Sequence, residues 1–158
     1  MQPDNKFYSK EQILQKLETF CAYRERCEAE VKQKLFSLQV KNEDVDFYIQ
    51  YLKENNFLNE TRFAASFSRG KFNIKNWGKI KIKQALQVKQ IDANKIQQSL
   101  EQIDTTDYLS KLKILLIKKN KNIREEDENK RKQKLFAYAL QKGYESTLIH
   151  QTIKEIIK

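Results

Sequence analysis

The sequence holds one proline and three glycines in 158 residues, far below average usage of about 5% and 7%. So few backbone breakers point to an all-α protein. The single histidine, His150, leaves no Ser-His or Cys-His pair for nucleophilic catalysis and reads as a surface residue of the last helix. No P-loop, HExxH motif or Cys/His ligand set occurs. Carboxylate neighbours such as Glu125 and Glu126 lie in a polar run with nothing to desolvate them. The two cysteines, Cys21 and Cys27, are read as lying on roughly opposite sides of a helix, as free thiols in a reducing compartment. No apolar run approaches the roughly 18 residues of a membrane span, and MQPDNKFYSK lacks the apolar centre of a signal peptide. A soluble cytoplasmic protein with no enzymatic activity, metal or cofactor is expected.

What is present is positive charge, unevenly placed. Residues 1–60 hold nine basic and eleven acidic side chains, a net of −2, and residues 61–158 hold twenty-two and ten, a net of +12. From Arg62 to Ile91 there are eight Lys or Arg and no Asp or Glu. Such a run carries self-repulsion that a polyanionic or acidic partner would relieve, unless it is only a solvated helix face. The candidate contacts are Arg62, Arg69, Lys71, Lys75, Lys79, Lys81 and Lys83. A second set, Lys118, Lys119 and Lys121 towards one end and Lys130, Arg131, Lys132 and Lys134 towards the other, lies within the polar stretch KKNKNIREEDENKRKQK, which breaks the apolar pattern and reads as an exposed connection plus a solvated helix start.

Apolar spacing gives the architecture. Ser9-Lys10-Glu11-Gln12 reads as a capping box ahead of a helix with Ile13, Leu14, Leu17, Phe20 and Cys21 on one face. A second helix runs from Glu28 to about Leu38, and a third follows Asn42. Val31, Leu35, Val40, Val45, Ile49 and Leu52 then recur as Ile82, Leu86, Ile91, Ile96, Leu100 and Ile103 at an offset of 51. They recur again as Leu135, Ala139, Tyr144, Ile149, Ile153 and Ile156 at a further offset of 53. The break between helices keeps its place, with cap-type residues Asn42, Asp92 and Ser146 after it. Ser9, Asn59 and Asp104 are expected N-caps, each bracketed by an apolar staple: Tyr8 with Ile13, Leu58 with Phe63, Ile103 with Tyr108. These features give three tandem three-helix modules, 6–57, 58–103 and 104–158, forming an elongated, curved array.

Asn73 to Lys83 alternates apolar and polar as a strand would, but the module register assigns it to helix, with Asn76 as a cap before Trp77. On that helix Lys79 and Lys83 are like-charged i, i+4 neighbours, a cost of a few tenths of a kcal/mol that a bound anion would reverse. Trp77 is either a core residue or a stacking platform.

Four stretches in order, Arg24-Glu25-Arg26-Cys27-Glu28-Ala29-Glu30-Val31, Asn59-Glu60-Thr61-Arg62-Phe63-Ala64, Trp77-Gly78-Lys79-Ile80-Lys81-Ile82 and Ala139-Leu140-Gln141-Lys142-Gly143-Tyr144, resemble the successive signatures of the RecX regulatory proteins. The resemblance covers residues 10–157, and the GKFNIKNWGKIKI stretch is most similar to the Bacteroidetes-type form. Cys27 stands where that family usually has a capping Ser, and Gln39 and Gln90 where it often has Gly. The resemblance implies a monomeric, non-enzymatic modulator of the RecA recombinase that lies in the groove of the RecA–DNA filament and contacts single- or double-stranded DNA. It further implies limited filament growth or promoted disassembly, and so regulation of recombinational repair and the SOS response. A general DNA-binding or architectural protein acting without RecA is the alternative, and a helical RNA-binding module a weaker third.

Overall fold

The computed structural model describes residues 7–157, and these form nine α-helices with no strand among them. They are α1 (Lys10–Tyr23), α2 (Glu28–Ser37), α3 (Asn42–Glu54), α4 (Glu60–Asn73), α5 (Lys79–Val88), α6 (Ala93–Glu101), α7 (Thr105–Asn122), α8 (Glu128–Lys142) and α9 (Ser146–Ile156). The helices pack closest within successive triplets, α1–α3, α4–α6 and α7–α9. The expected first boundary at Lys6 and last at Lys158 lie outside the described residues. None of the described helices is long and apolar enough to cross a membrane.

Fifteen of the eighteen repeated apolar positions are buried, and Val40, Val45 and Ile156 are half-buried. Val31, Leu35 and Leu52 in the first triplet, Ile82 and Leu86 in the second, and Leu135, Tyr144 and Ile149 in the third are almost wholly shielded from solvent. Each such aliphatic side chain contributes on the order of 1.5–3 kcal/mol relative to an exposed one. These residues build two cores rather than three. One belongs to α1–α3 and contains Ile13, Leu17, Cys21, Leu35 and Leu52. The other runs unbroken through α4–α9, from Phe63 and Leu86 to Leu116 and Ile149, and takes in Cys27 from the first triplet. The accessible surface, 10773 Å², exceeds the roughly 8,300 Å² of a compact monomer of this mass. A radius of gyration well above the roughly 15 Å of a compact chain this long is therefore expected in solution scattering; a value near 15 Å would refute an extended array.

Most helix starts follow the sequence reading. Ser9 Oγ accepts from Gln12 N–H at 3.2 Å while Gln12 Oε1 accepts from Ser9 N–H at 2.8 Å, a complete capping box. Asn59, Asp92 and Asp104 accept amides of the first turns of α4, α6 and α7. Three expected caps are corrected. Lys41 and Glu145, not Asn42 and Ser146, hold the N-cap positions of α3 and α9, and neither makes a side-chain cap bond. Asn76 does not cap α5: it has φ 61°, and the chain runs through Trp77 to Gly78 before the helix begins at Lys79. Nor do the cysteines share a helix. α1 ends at Tyr23, so Cys21 lies in the first core and Cys27, the N-cap of α2, in the second. Both are buried unpaired thiols, and burial raises the Cys21 pKa to about 11.

After the second helix of each triplet the backbone turns through a left-handed residue: Gln39 at φ 61°, Gln90 at φ 62° and Gly143 at φ 100°. A side chain there costs roughly 1–2 kcal/mol, part of which glycine returns as entropy lost on folding. Gln39→Gly and Gln90→Gly are each expected to stabilise by about 0.5–1 kcal/mol, raising Tm by about 1–4 °C, measured by thermal circular dichroism. An unchanged or lowered midpoint would show that the glutamine side chains contribute contacts of equal worth.

Candidate functional site

The residues that join the triplets also present the basic run. Between α4 and α5, the segment from Ile74 to Gly78 lies against the turn after α8. Gly78 N–H donates to Lys142 O at 2.7 Å and Ile80 N–H to Gly143 O at 3.0 Å. Tyr144 Oη donates to Asn76 O at 3.1 Å, and Tyr108 Oη accepts from Lys79 N–H at 3.0 Å while donating to the Glu145 carboxylate. Burial pushes both phenols well above their ordinary pKa, with the Glu145 hydrogen bond adding to the shift at Tyr108. Both therefore remain neutral donors at any physiological pH. The approach leaves no room for a side chain at the two glycines: a Cβ on Gly78 would stand 2.3 Å from Gly143 O.

On the outside of this junction the lysines gather. Lys71 and Lys81 place their ammonium groups 4.9 and 4.6 Å from the Trp77 ring centroid, so this half-buried indole packs on the core and also carries two cations. Lys79 lies 5.0 Å from the Tyr108 ring. Lys111 donates to Phe72 O at 2.9 Å, at the carbonyl-rich end of α4, and Lys142 to Lys75 O, just past that end, at 3.4 Å. Neither was singled out from the sequence. The signal available was only a cation in contact range of a helix terminus, which requires the fold.

The second basic set adjoins the first through Gln141. Lys81 Nζ makes a long, 3.5 Å contact with Gln141 O, and Gln141 also lines a surface cleft with Lys119, Arg124, Lys134 and Tyr138. There Lys119 lies 5.0 Å from the Tyr138 ring. Lys118 and Lys121 are exposed near the end of α7, which extends to Asn122 rather than breaking at Lys118. Lys130 is exposed near the start of α8, roughly 16 Å along that helix from Gln141, and does not join the group. Arg69 stands on another side of α4, beside a cleft that also holds Asp104 and Asp107.

Four of the fourteen candidates are occupied within the chain, Lys132 and Lys134 by ion pairs to Glu128 and Glu125 at 3.3 Å. Arg62 pairs with Glu25 at 3.1 Å and donates to Asn56 O at 2.7 Å, fastening α4 to the α1–α2 connection. Arg131 directs its guanidinium to Asn120 O, Asn120 Oδ1, Ile123 O and Glu125 O at 2.6–3.2 Å, closing the α7–α8 connection. The other ten make no ion pair among the described residues. Lys71, Lys79, Lys81 and Lys119, without ion pairs and beside aromatic rings, can meet phosphates while the rings stack bases.

Residues 59–100 match the second three-helix domain of RecX and residues 106–153 the third. The regulatory protein RecX of Clostridium acetobutylicum is 30% identical over 161 residues, covering 99% of this chain and 72% of that protein. The chain belongs to the RecX family. A second RecX relative, from Oceanobacillus iheyensis, is 30% identical over 87% of this chain, which spans half of that protein's length. Crystallised RecX from Lactobacillus salivarius superposes with a TM-score of 0.83 at 23% identity, over 92% of this chain and 95% of that one. A second crystallised regulatory protein RecX gives 0.80 at 24% identity, with 73% of its chain covered. The all-helical arrangement is thus the RecX fold, and the family name carries a regulatory role.

Proposed function

We propose that this RecX-family protein modulates, mainly by inhibition, the RecA recombinase. In this reading it lies along the RecA–DNA filament in the cytoplasm as a non-catalytic monomer, limits filament growth or promotes disassembly, and thereby regulates recombinational repair and the SOS response. The observation that carries the proposal is the unpaired basic surface across α4, α5, α7 and α8, held in one geometry by the Gly78–Gly143 junction. Lys71, Lys75, Lys79, Lys81, Lys83 (exposed on α5), Lys118, Lys119 and Lys121 are its main anion contacts, with Arg69 and Lys130 outlying. A surface fixed across two triplets spans more of a helical polymer than one triplet could, and each lysine that reaches a phosphate releases a counterion. Arg62 ties the first two triplets together, and Arg131 closes the α7–α8 connection.

RecA ATPase on single-stranded DNA, with this protein added well below one copy per RecA, tests the reading. Inhibition at such ratios supports action on the filament. Inhibition only near saturation of the DNA would favour the alternative, a general DNA-binding protein competing for the same strand.

A further inference from the structure

The first triplet lies in the net-acidic part of the chain, yet α1, α2 and their connection enclose an open cleft of about 710 Å³ without a carboxylate in its lining. Its charged and aromatic walls are Tyr8, Lys16, Phe20, Tyr23, Arg26 and Lys34, and the remainder are uncharged Gln and Thr. Lys16, Phe20 and Tyr23 are four and three residues apart, so α1 presents them on one face. No nearby acid among the described residues pairs with Arg26: Glu25 is paired through Oε1 with Arg62, its Oε2 buried without a partner. Glu30 is bound by Arg24, by Cys27 N–H and by Lys89, and Glu18 accepts from Tyr51 Oη at 2.8 Å.

Arg26 decides what this cleft can hold. It is only 8% exposed, its guanidinium carbon lies 3.7 Å from the Phe20 ring centroid, and Nε donates to Phe20 O at 2.8 Å. Its two terminal nitrogens have no partner among the described residues; they are the donors left for the cleft that Arg26 lines. A guanidinium stacked, shielded and without an ion pair among the described residues is poised for an anion. Lys34 Nζ, 5.6 Å from the same ring, and Lys16 Nζ, 4.6 Å from the Tyr8 ring, flank it. Tyr23 stays 84% exposed at the cleft wall. An acidic peptide or bare phosphate would engage the cations and leave the tyrosines unused. A phosphorylated planar ring uses both, and the volume falls in the range of about 300–1,000 Å³ typical of small-molecule sites.

We propose that this cleft binds a nucleotide, free or as part of a single strand, at a site distinct from the basic surface of the other two triplets. The test uses the full chain with a labelled pentathymidylate, ATP and hexaglutamate as separate probes. Anisotropy measures affinity, and amide chemical shifts locate binding. Pentathymidylate, ATP or both should shift Thr19, Tyr23 and Arg26; ATP alone would mark a free nucleotide and pentathymidylate alone a strand. Tyr23→Ala, at an exposed position, should weaken binding by about 5- to 150-fold, the worth of one stacked base. The Lys16→Gln/Lys34→Gln variant should lower the single-strand salt slope by about 1.4, at 0.7 per phosphate. The proposal is overturned if neither nucleotide probe shifts those amides, or if hexaglutamate does so with an affinity unaffected by Tyr23→Ala. It is also overturned if both variants bind as wild type.

Discussion

Gly78→Ala is expected to lower stability by about 3–4 kcal/mol and Tm by about 10 °C. Its Cβ would meet Gly143 O at 2.3 Å and Tyr144 N at 2.5 Å; both are backbone atoms that cannot rotate aside, so the two segments must separate by roughly 1 Å. Separation breaks the Gly78–Lys142 and Ile80–Gly143 hydrogen bonds and strains the Tyr144–Asn76 bond, at about 1 kcal/mol each, and loosens apolar packing behind them. Gly143→Ala should be at least as damaging. Its φ of 100° disfavours any side chain, and its Cβ would lie 2.3 Å from Lys81 Cβ. Gly70 supplies the control, because a Cβ there has nothing within 4 Å and the residue is inside α4; alanine should stabilise by about 0.5–1 kcal/mol. Thermal unfolding of the three variants checks the contrast. Equal midpoints for Gly70→Ala and Gly78→Ala would show that the junction yields at no cost.

Replacing Lys71, Lys75, Lys83, Lys119 and Lys121 together by Gln is expected to reduce the salt slope of duplex DNA binding by about 4.5, at about 0.9 per phosphate contact. Stability should hardly change, since substitutions on exposed faces usually stay within about 0.5 kcal/mol each. The set leaves Lys81, Lys111 and Lys142 in place because they also reach backbone carbonyls. Free-DNA binding by salt titration and RecA ATPase inhibition then divide the roles. Lost DNA affinity with retained inhibition would assign these cations to DNA and the RecA contact to another face. Lost inhibition with unchanged DNA affinity would turn them toward RecA. Wild-type behaviour in both would reduce the run to a solvated face and remove the support for the proposed interface.

The helical frame was legible because it is local. Ser9, Asn59 and Asp104 declare helix starts through side chains that bond three residues on, and the repeat at offsets 51 and 53 reports which apolar faces turn inward. The left-handed corners at Gln39, Gln90 and Gly143 fall at the same offsets of 51 and 53, but glutamine does not mark the first two as such. Charge pattern located the basic surface but not the condition of each cation. Arg62 and Arg131 look as free as Arg69 in the sequence; their acceptors are set by the folded path of the chain. Reading Asn76 as a cap places the start of α5 too early, because Gly78 is fixed by a backbone 64 residues away. The Arg26 cleft escaped for the same reason: Phe20, Arg26 and Lys34 belong to two helices and the bend between them.

The two unequal cores bear on how the chain emerges from the ribosome. Once residues up to about Leu58 are out of the exit tunnel, the first triplet has every side chain of its own core. The second triplet does not: its apolar residues are continuous with those of α7–α9. At about 5–20 residues per second, residues 104–158 take roughly 3–11 s to synthesise. Throughout that interval the Phe72 and Ile82 face of the nascent chain stands uncovered, so chaperone capture and proteolytic loss should concentrate there, and a stalled product ending near residue 103 should be cleared faster than one ending near 58.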